Sequence, residues 1–198
     1  GRYTTANDGV WIGVGAGSTG AGGGQSVLVG HYAGQYIVGS QATYLGPSAG
    51  KYATGSFNTF VGYQSGQGGT TSAPYSSGQY NVAVGHQALD VFTTGDQNVA
   101  VGPSALGGVT SGKGNIGIGY YANSRTTTGD YNISIGTEGY GSSGTRNITM
   151  GYRAMMTEHS LPYNIAIGHM SLHYPGAGGS GYNIAIGDMS MYGGTAGG

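Results

Sequence analysis

A five-residue pattern of polar, apolar and small positions recurs along the whole chain. Its clearest copies occupy residues 81–85, 98–102, 115–119, 132–136, 147–151, 164–168 and 183–187, and each reads Asn, apolar, small, apolar, Gly. We call the closing glycine the anchor. Counting four looser early copies, the eleven anchors are Gly13, Gly30, Gly46, Gly62, Gly85, Gly102, Gly119, Gly136, Gly151, Gly168 and Gly187. Most lie 16 or 17 residues apart, and a period of this length indicates a repeat protein.

The apolar positions around each anchor alternate with a period of two. The residue before the anchor is apolar in every copy, and the residue two places earlier is Val, Ile or Thr. This period-two alternation of β-branched residues predicts a short strand with one buried face. A second glycine, seven residues before most anchors, predicts a second turn and therefore two short strands in each coil. The expected fold is all-β: a parallel β-solenoid (β-roll) of about eleven rungs of 16–17 residues.

Two further positions of the repeat predict how the rungs stack. Asparagine precedes the strand in eight of the eleven rungs, which predicts a ladder of side chains that bond the turn backbone and one another. Its representative members are Asn81, Asn98, Asn115 and Asn132. The anchors, with Gly85, Gly102, Gly119 and Gly136 as representatives, predict a positive φ or a close approach of two backbones.

An exchange of side-chain volume divides the chain into two blocks. The middle strand position is bulky in the first four rungs and small in the last seven, and the position four after the anchor changes in the opposite sense. Constant packing volume explains such an exchange. We expect a first β-roll sub-block over residues 1–66 and a second over 81–198. Residues 67–80 contain the one long step and are expected to be a loop insertion, of the kind that often carries binding.

Composition removes several classes of function. Charged residues make up only 7% of the 198 residues, the formal net charge is -1, and 45 residues are glycine. Nucleic acid is therefore not an expected partner, because the chain lacks a basic footprint. Membrane insertion is not expected, because no apolar run approaches roughly 18 residues. Cysteine is absent, so disulfides do not stabilise the fold. A thin coil with so little charge is poorly protected alone, which favours self-association.

The repeat resembles those of two families of fibrous proteins. The phrase Asn-x-Ala-Ile-Gly resembles the head repeats of trimeric autotransporter adhesins of the YadA type, whose heads are trimeric parallel β-rolls. The longer phrase over residues 80–89, followed by Thr94, Gly95 and Asn98, is more similar to repeats of phage tail-fibre proteins. Either resemblance implies a homotrimer. The rung of about 17 residues is longer than that of the adhesins.

The resemblance leads to an expected function without catalysis. We expect a structural and receptor-binding segment of a trimeric phage tail fibre, located in the virion tail, that attaches to a host-surface glycan or outer-membrane protein. The alternative is the head of a trimeric adhesin on a bacterial cell surface. A glycan depolymerase using Asp96 and Asp130, or an ice-binding solenoid, is a less favoured interpretation. No cofactor and no metal site are expected.

Tyrosine is the candidate contact residue. There are 17 tyrosines, and an exposed tyrosine is a rigid amphipathic group suited to recognition and to stacking on sugars. Tyr63, Tyr120 and Tyr152 directly follow anchors. Tyr75, Tyr121 and Tyr140 lie in turns or loops. Coverage of subunit interfaces is the competing interpretation. His31, His86 and His169 also follow anchors, as solvated side chains or as a metal ring in a trimer.

Overall fold

The computed structural model describes residues 8–69, 73–139, 144–155, 161–173 and 181–192. In these ranges every regular element is a β-strand of three residues, and all eleven strands form one sheet in chain order. The strands are β1 (Val10–Ile12), β2 (Val27–Val29), β3 (Thr43–Leu45), β4 (Thr59–Val61), β5 (Val82–Val84), β6 (Val99–Val101), β7 (Ile116–Ile118), β8 (Ile133–Ile135), β9 (Ile148–Met150), β10 (Ile165–Ile167) and β11 (Ile184–Ile186). The prediction of an all-β parallel solenoid is confirmed.

The strands stack in exact repeat register. Each strand pairs in parallel with the next, so that Val101 lies beside Ile118 and Ile118 beside Ile135. The insertion at residues 67–80 does not interrupt the sheet, since Thr59 of β4 pairs with Val82 of β5. At about 4.8 Å for each strand, the eleven rungs make a rod about 50 Å long.

The buried face of each strand is the one that carries its middle residue. In every strand the middle residue is buried, whereas the β-branched residues on either side are half-buried or exposed. The interior of the coil is filled by these middle residues together with buried turn residues such as Leu89 and Leu106. The middle residue points inward, whether bulky in the first four rungs or small in the last seven, and the two apolar rows lie on the outside of the rod.

The exchange of volume between the two blocks takes place inside this narrow interior. An ideal Cβ on Gly50 would lie 2.5 Å from the Tyr44 ring, and one on Gly66 would lie 2.4 Å from the Phe60 ring. Conversely, a Cβ on Gly117 would lie 2.8 Å from Leu106. The middle strand position and the position four after the anchor point into the same space. A large side chain at one of them therefore requires a small residue at the other.

The second strand expected in each rung is not formed. In the described residues, the side of the coil opposite the sheet consists of turns with one isolated bridge, between Ala53 and Ser76. Neighbouring rungs still bond there, as in the 2.8 Å bond from the amide of Thr93 to the carbonyl of Thr110. Residues at positive φ recur on both sides of each strand, and this backbone is incompatible with a regular extended strand.

The asparagines before the strands form a continuous buried row. The Nδ2 of Asn115 donates to the Oδ1 of Asn98 at 3.2 Å and to the carbonyl of Gly129 at 2.8 Å. The Oδ1 of Asn115 accepts from the backbone amide of Asn132 at 2.9 Å and from its Nδ2 at 3.0 Å. Backbone bonds of this kind run from Asn58 to Asn183. Each amide thus satisfies buried groups of the two neighbouring rungs.

Tyr44 is an exception to the pairing of polar groups in the interior. Its hydroxyl is buried and has no hydrogen-bond partner among the described residues. Burial raises the pKa of this phenol, and the nearby Asn58 amide opposes the rise. The ring stacks on Phe60 with centroids 5.0 Å apart. The ring therefore contributes packing while the hydroxyl contributes a desolvation cost.

Tyr44→Phe is expected to stabilise the fold by about 1 kcal/mol, because it removes an unpaired buried hydroxyl and keeps the stacked ring. The midpoint of urea unfolding followed by circular dichroism measures the change. Tyr121→Phe, in an exposed ring, serves as the control and should leave the midpoint unchanged. A Tyr44→Phe variant less stable than the parent would show that the hydroxyl is paired after all.

Candidate functional site

The outward side chains of the eleven strands form one uncharged surface, which we call the apolar face. Each strand contributes its first and third residues. Twenty of these 22 residues are Val, Ile, Leu or Met, and the other two are Thr43 and Thr59. In projection, eleven strands of three residues cover on the order of 500 Å². Even without the flanking rows, this area equals that of the largest apolar patch on a typical monomeric protein.

The apolar face is regular as well as apolar. The third residues of the central strands have nearly equal exposure, with Val84 at 37%, Ile118 at 39% and Met150 at 39%. Each side chain is covered above and below by its counterpart in the neighbouring rung, so only its tip reaches solvent. The result is a straight, smooth strip that matches another strip of the same kind.

A row of residues that includes five aromatic side chains borders the apolar face on one side. It consists of the residue two places before the first residue of each strand, and we call it the pre-strand row. This residue has positive φ in every described rung. Phe57 and Tyr80 stack at 4.8 Å, and Tyr163 and Tyr182 stack at 4.8 Å. The guanidinium of Arg146 lies 5.6 Å from the Tyr131 ring centroid and 5.5 Å from that of Tyr163. The stacked rings widen the apolar strip where they occur, and the row also carries charge at Asp8 and Arg146.

The predicted tyrosines after the anchors lie on the other border and do not form a single cluster. Tyr63 stacks on His86 with centroids 5.5 Å apart, and Tyr152 stacks on His169 at 5.6 Å. The Nδ1 of His169 lies 2.7 Å from a carboxylate oxygen of Asp188. These residues form a discontinuous ladder of rings along the rod.

Tyr120 and Tyr121 form a separate exposed pair in the seventh rung. Their rings meet edge to face at 4.4 Å. The pKa of Tyr120 is raised, first by desolvation and then by the neighbouring Tyr121 and by the Glu138 carboxylate. Tyr140, the remaining predicted loop tyrosine, lies outside the described residues.

The paired carboxylates that suggested a depolymerase have backbone partners. Asp96 accepts a 2.7 Å bond from the amide of Gln79, and Asp130 accepts a 2.9 Å bond from the amide of Lys113. Each carboxylate therefore joins its own turn to the turn of the preceding rung. The two lie two rungs apart, about 10 Å along the axis. Their contacts fit a turn-capping role.

The insertion brings Tyr75 to the side of the coil opposite the apolar face. There its ring contacts Tyr36 and Tyr52, at centroid distances of 4.6 and 6.1 Å. Sequence reasoning singled out Tyr75 and missed the other two. A signal was present in the sequence, because Tyr36 and Tyr52 both lie six residues after an anchor. They therefore share a phase, that is, the same position relative to the anchor, in neighbouring rungs.

Metal and membrane sites find no support in the described part of the chain. Across those residues, no three His, Asp or Glu side chains come together as a metal-binding group. The same residues contain no helix that is long and apolar enough to cross a membrane. Comparison of the chain with protein-family models, with curated proteins and with solved structures found no match in any of the three.

Proposed function

We propose that this chain is a rod-shaped segment of a homotrimeric phage tail fibre, which attaches to a glycan or an outer-membrane protein of the host surface. The observation that carries the proposal is the uncharged apolar face of the eleven-strand sheet. An exposed, flat, parallel strip of this kind promotes association unless it is covered. Two further copies of the same chain carry identical strips and can cover it without any other partner.

The size of the strip agrees with a specific interface. About 500 Å² of projected strand surface, widened by the pre-strand row, approaches the roughly 800 Å² that each partner contributes to a standard interface. Because all rungs share one period, copies in register place the same kind of apolar side chain together in every rung. This arrangement produces a stiff rod with three equivalent outer surfaces, suited to multivalent attachment through weak contacts.

The resemblance of the repeat to tail-fibre proteins supports the attachment role, and the exposed tyrosines supply contact groups. The same face would also suit the head of a trimeric surface adhesin, whose repeat phrase the chain shares. Electron-microscopic localisation with an antibody separates the two, because a tail fibre labels virions and an adhesin labels the bacterial surface.

Val101→Glu with Ile135→Glu is expected to convert the oligomer to monomer. The two substitutions place charges in the middle of the apolar face of every subunit, and burying unpaired carboxylates costs several kcal/mol. Light scattering after gel filtration should give three times the 19.8 kDa chain mass for the parent and one chain mass for the variant. Both residues lie on the rod exterior, so the monomer should keep its circular dichroism spectrum.

Val38→Glu is the matched control for that experiment. Val38 is 55% exposed but lies on the side of the coil away from the sheet. Its replacement should leave the trimer intact. A parent protein that is monomeric at micromolar concentration would overturn the trimeric proposal. A dimer would keep the apolar face as an interface but exclude the trimeric fibre.

A further inference from the structure

Three tyrosines form a compact aromatic surface on the side of the rod away from the apolar face. We call Tyr36, Tyr52 and Tyr75 the tyrosine cluster. Ring centroids lie 5.5 Å apart for Tyr36 and Tyr52, 4.6 Å for Tyr36 and Tyr75, and 6.1 Å for Tyr52 and Tyr75. The ring planes differ by only 16–31°. All three residues are half-buried, so part of each ring remains open to solvent.

The backbone holds the cluster in place. The amide of Tyr52 donates to the carbonyl of Gln67 at 2.7 Å, which fixes it to the fourth rung. The amide of Ser76 donates to the carbonyl of Tyr52 at 3.0 Å, and the carbonyl of Ser76 accepts from the amide of Thr54 at 2.7 Å. The residue after Tyr75 is therefore bonded to the third rung through both its amide and its carbonyl. A preorganised surface loses little entropy when it binds.

A glycine makes room for the insertion at this point. Gly68 occupies, in the fourth rung, the phase that Tyr36 and Tyr52 occupy in the second and third. A Cβ on Gly68 would lie 2.8 Å from the hydroxyl oxygen of Ser76 and 3.1 Å from the Cβ of Tyr52. The fourth rung thus has no side chain at this position. Tyr75, which belongs to the insertion and has no counterpart in the other rungs, takes its place.

The cluster is not a by-product of the repeat. The residues at the same phase in other described rungs include Thr19, Gly108 and Arg125. The solenoid therefore does not need tyrosine at this position for stacking. Aromatic rings have been concentrated in one place, where the chain also departs from its regular step. This combination distinguishes the cluster from the rows that border the apolar face.

The cluster offers two kinds of unused contact. The three hydroxyls make no hydrogen bond within the described residues, although each can donate and accept. The ammonium of Lys51 lies 5.0 Å from the ring centroids of both Tyr32 and Tyr52. It forms no ion pair with a carboxylate of the described residues. Asp90, at the same phase as Lys51, lies two rungs away, about 10 Å along the axis.

We propose that the tyrosine cluster and Lys51 bind an acidic saccharide, a pyranose that carries a carboxylate. The C–H bonds on one face of a pyranose are weakly positive and meet the negative face of an aromatic ring. The tyrosine hydroxyls exchange hydrogen bonds with the sugar hydroxyls. The Lys51 ammonium pairs with the carboxylate and supplies the charge-dependent part of the recognition.

This inference rests on the proposed function and specifies its receptor chemistry. Tyr36 and Tyr52 lie eight residues after the strand centres Leu28 and Tyr44, halfway around a coil of 16 residues. A trimer built through the apolar face therefore leaves the cluster on its outer surface. Three outward copies multiply the affinity of a weak single site when the receptor is a polymer.

The test compares two sugars that differ by one carboxylate. Methyl β-glucuronide and methyl β-glucoside are titrated against the full chain, and saturation-transfer difference NMR records contact at the sugar C–H groups. We expect transfer to both sugars, with the glucuronide binding roughly three-fold more tightly, the ratio that a solvent-exposed ion pair supplies. Tyr75→Ala should abolish transfer to both. No transfer to the glucuronide from the parent protein would overturn the proposal.

Two lysine variants separate the charge effect from structural damage. Lys51→Gln should remove the preference for the glucuronide, so that the two sugars bind with equal affinity. Lys113→Gln, in the other lysine of the chain, should change the affinity for neither sugar. Glucuronide binding that survives Tyr75→Ala, or that Lys113→Gln weakens as much as Lys51→Gln does, would place the sugar elsewhere and overturn the proposal. Circular dichroism confirms that each variant is folded.

Failure of this inference can be told apart from failure of the fibre proposal. Light scattering and adsorption to host cells test the fibre without reference to the cluster. A trimer that adsorbs to cells but does not bind the glucuronide would overturn only the acidic-saccharide site. A monomer that binds the glucuronide through Tyr75 would overturn the trimeric fibre and keep the site.

Discussion

Gly119→Ala is expected to prevent the chain from folding. Gly119 has φ +125°, in a region that residues with a Cβ rarely adopt, and such strain alone costs on the order of 1–3 kcal/mol. An added Cβ would also lie 2.1 Å from the carbonyl oxygen and 2.8 Å from the carbonyl carbon of Gly136. Both contacts are with the backbone of the next rung. Relief therefore requires the two rungs to move apart and break the ladder.

The φ strain and the broken contacts between the two rungs act against a total stability that is only about 5–15 kcal/mol for an ordinary domain. Gly107→Ala is the matched control, because Gly107 has no left-handed φ and its added Cβ would approach no atom closer than the Ser104 carbonyl oxygen at 3.1 Å. Soluble yield and thermal unfolding by circular dichroism compare the two variants. Equal melting temperatures for them would show that the anchors are not constrained by rung contact.

Asn115→Ala is expected to destabilise the fold by roughly 3–5 kcal/mol. The substitution removes four hydrogen bonds at once. It leaves the amide of Asn132, one proton of the Asn132 side chain and the carbonyl of Gly129 unpaired in the interior. Each such group costs about 1–3 kcal/mol, and water entering the vacated space offsets part of the sum.

Urea denaturation gives the size of this effect, and hydrogen exchange gives its position. The amide of Asn132 should lose protection before amides in distant rungs, because each rung contacts only its neighbours. Lys113→Ala, an exposed truncation two residues away, should remain within about 0.5 kcal/mol of the parent. A loss for Asn115→Ala no larger than that of Lys113→Ala would show that the ladder does not contribute measurably to stability.

The number and placement of the rungs could be predicted from the sequence because the repeat fixes them. A residue such as Val101 has ten counterparts at the same phase, so each strand boundary is supported many times over. The asparagine row was visible for the same reason. Its hydrogen-bond pattern then follows, because a buried amide stacked on an identical amide has few other ways to satisfy its donors and acceptor.

The alternation of apolar residues alone does not determine which side of each strand faces the interior. The general rule that Val and Ile face the core would bury Val99 and Val101, whereas the structure buries Ala100 between them. That rule assumes one core for each chain. Here the middle strand residues and turn residues such as Leu89 and Leu106 fill the interior of each coil, and the flanking Val and Ile side chains lie on the outer face of the sheet.

The tyrosine cluster shows a second limit of sequence reasoning. The shared phase of Tyr36 and Tyr52 can be read from the repeat. The approach of Tyr75 depends on the path of an insertion that has no counterpart in other rungs. The pairing of Ala53 with Ser76 determines that path, and no periodic signal reports it.

The in-register ladder also determines how this rod would respond to being pulled along its length. Every bond between rungs is directed along the axis, and the rungs are connected in series. Tension therefore unwinds the rod from an end, one coil at a time. Each coil of 17 residues releases a length of about 58 Å when extended and removes about 5 Å of rod, so the tether lengthens in steps of roughly 50 Å. A rod built this way absorbs a sudden load by unfolding single coils, and the remaining coils stay folded.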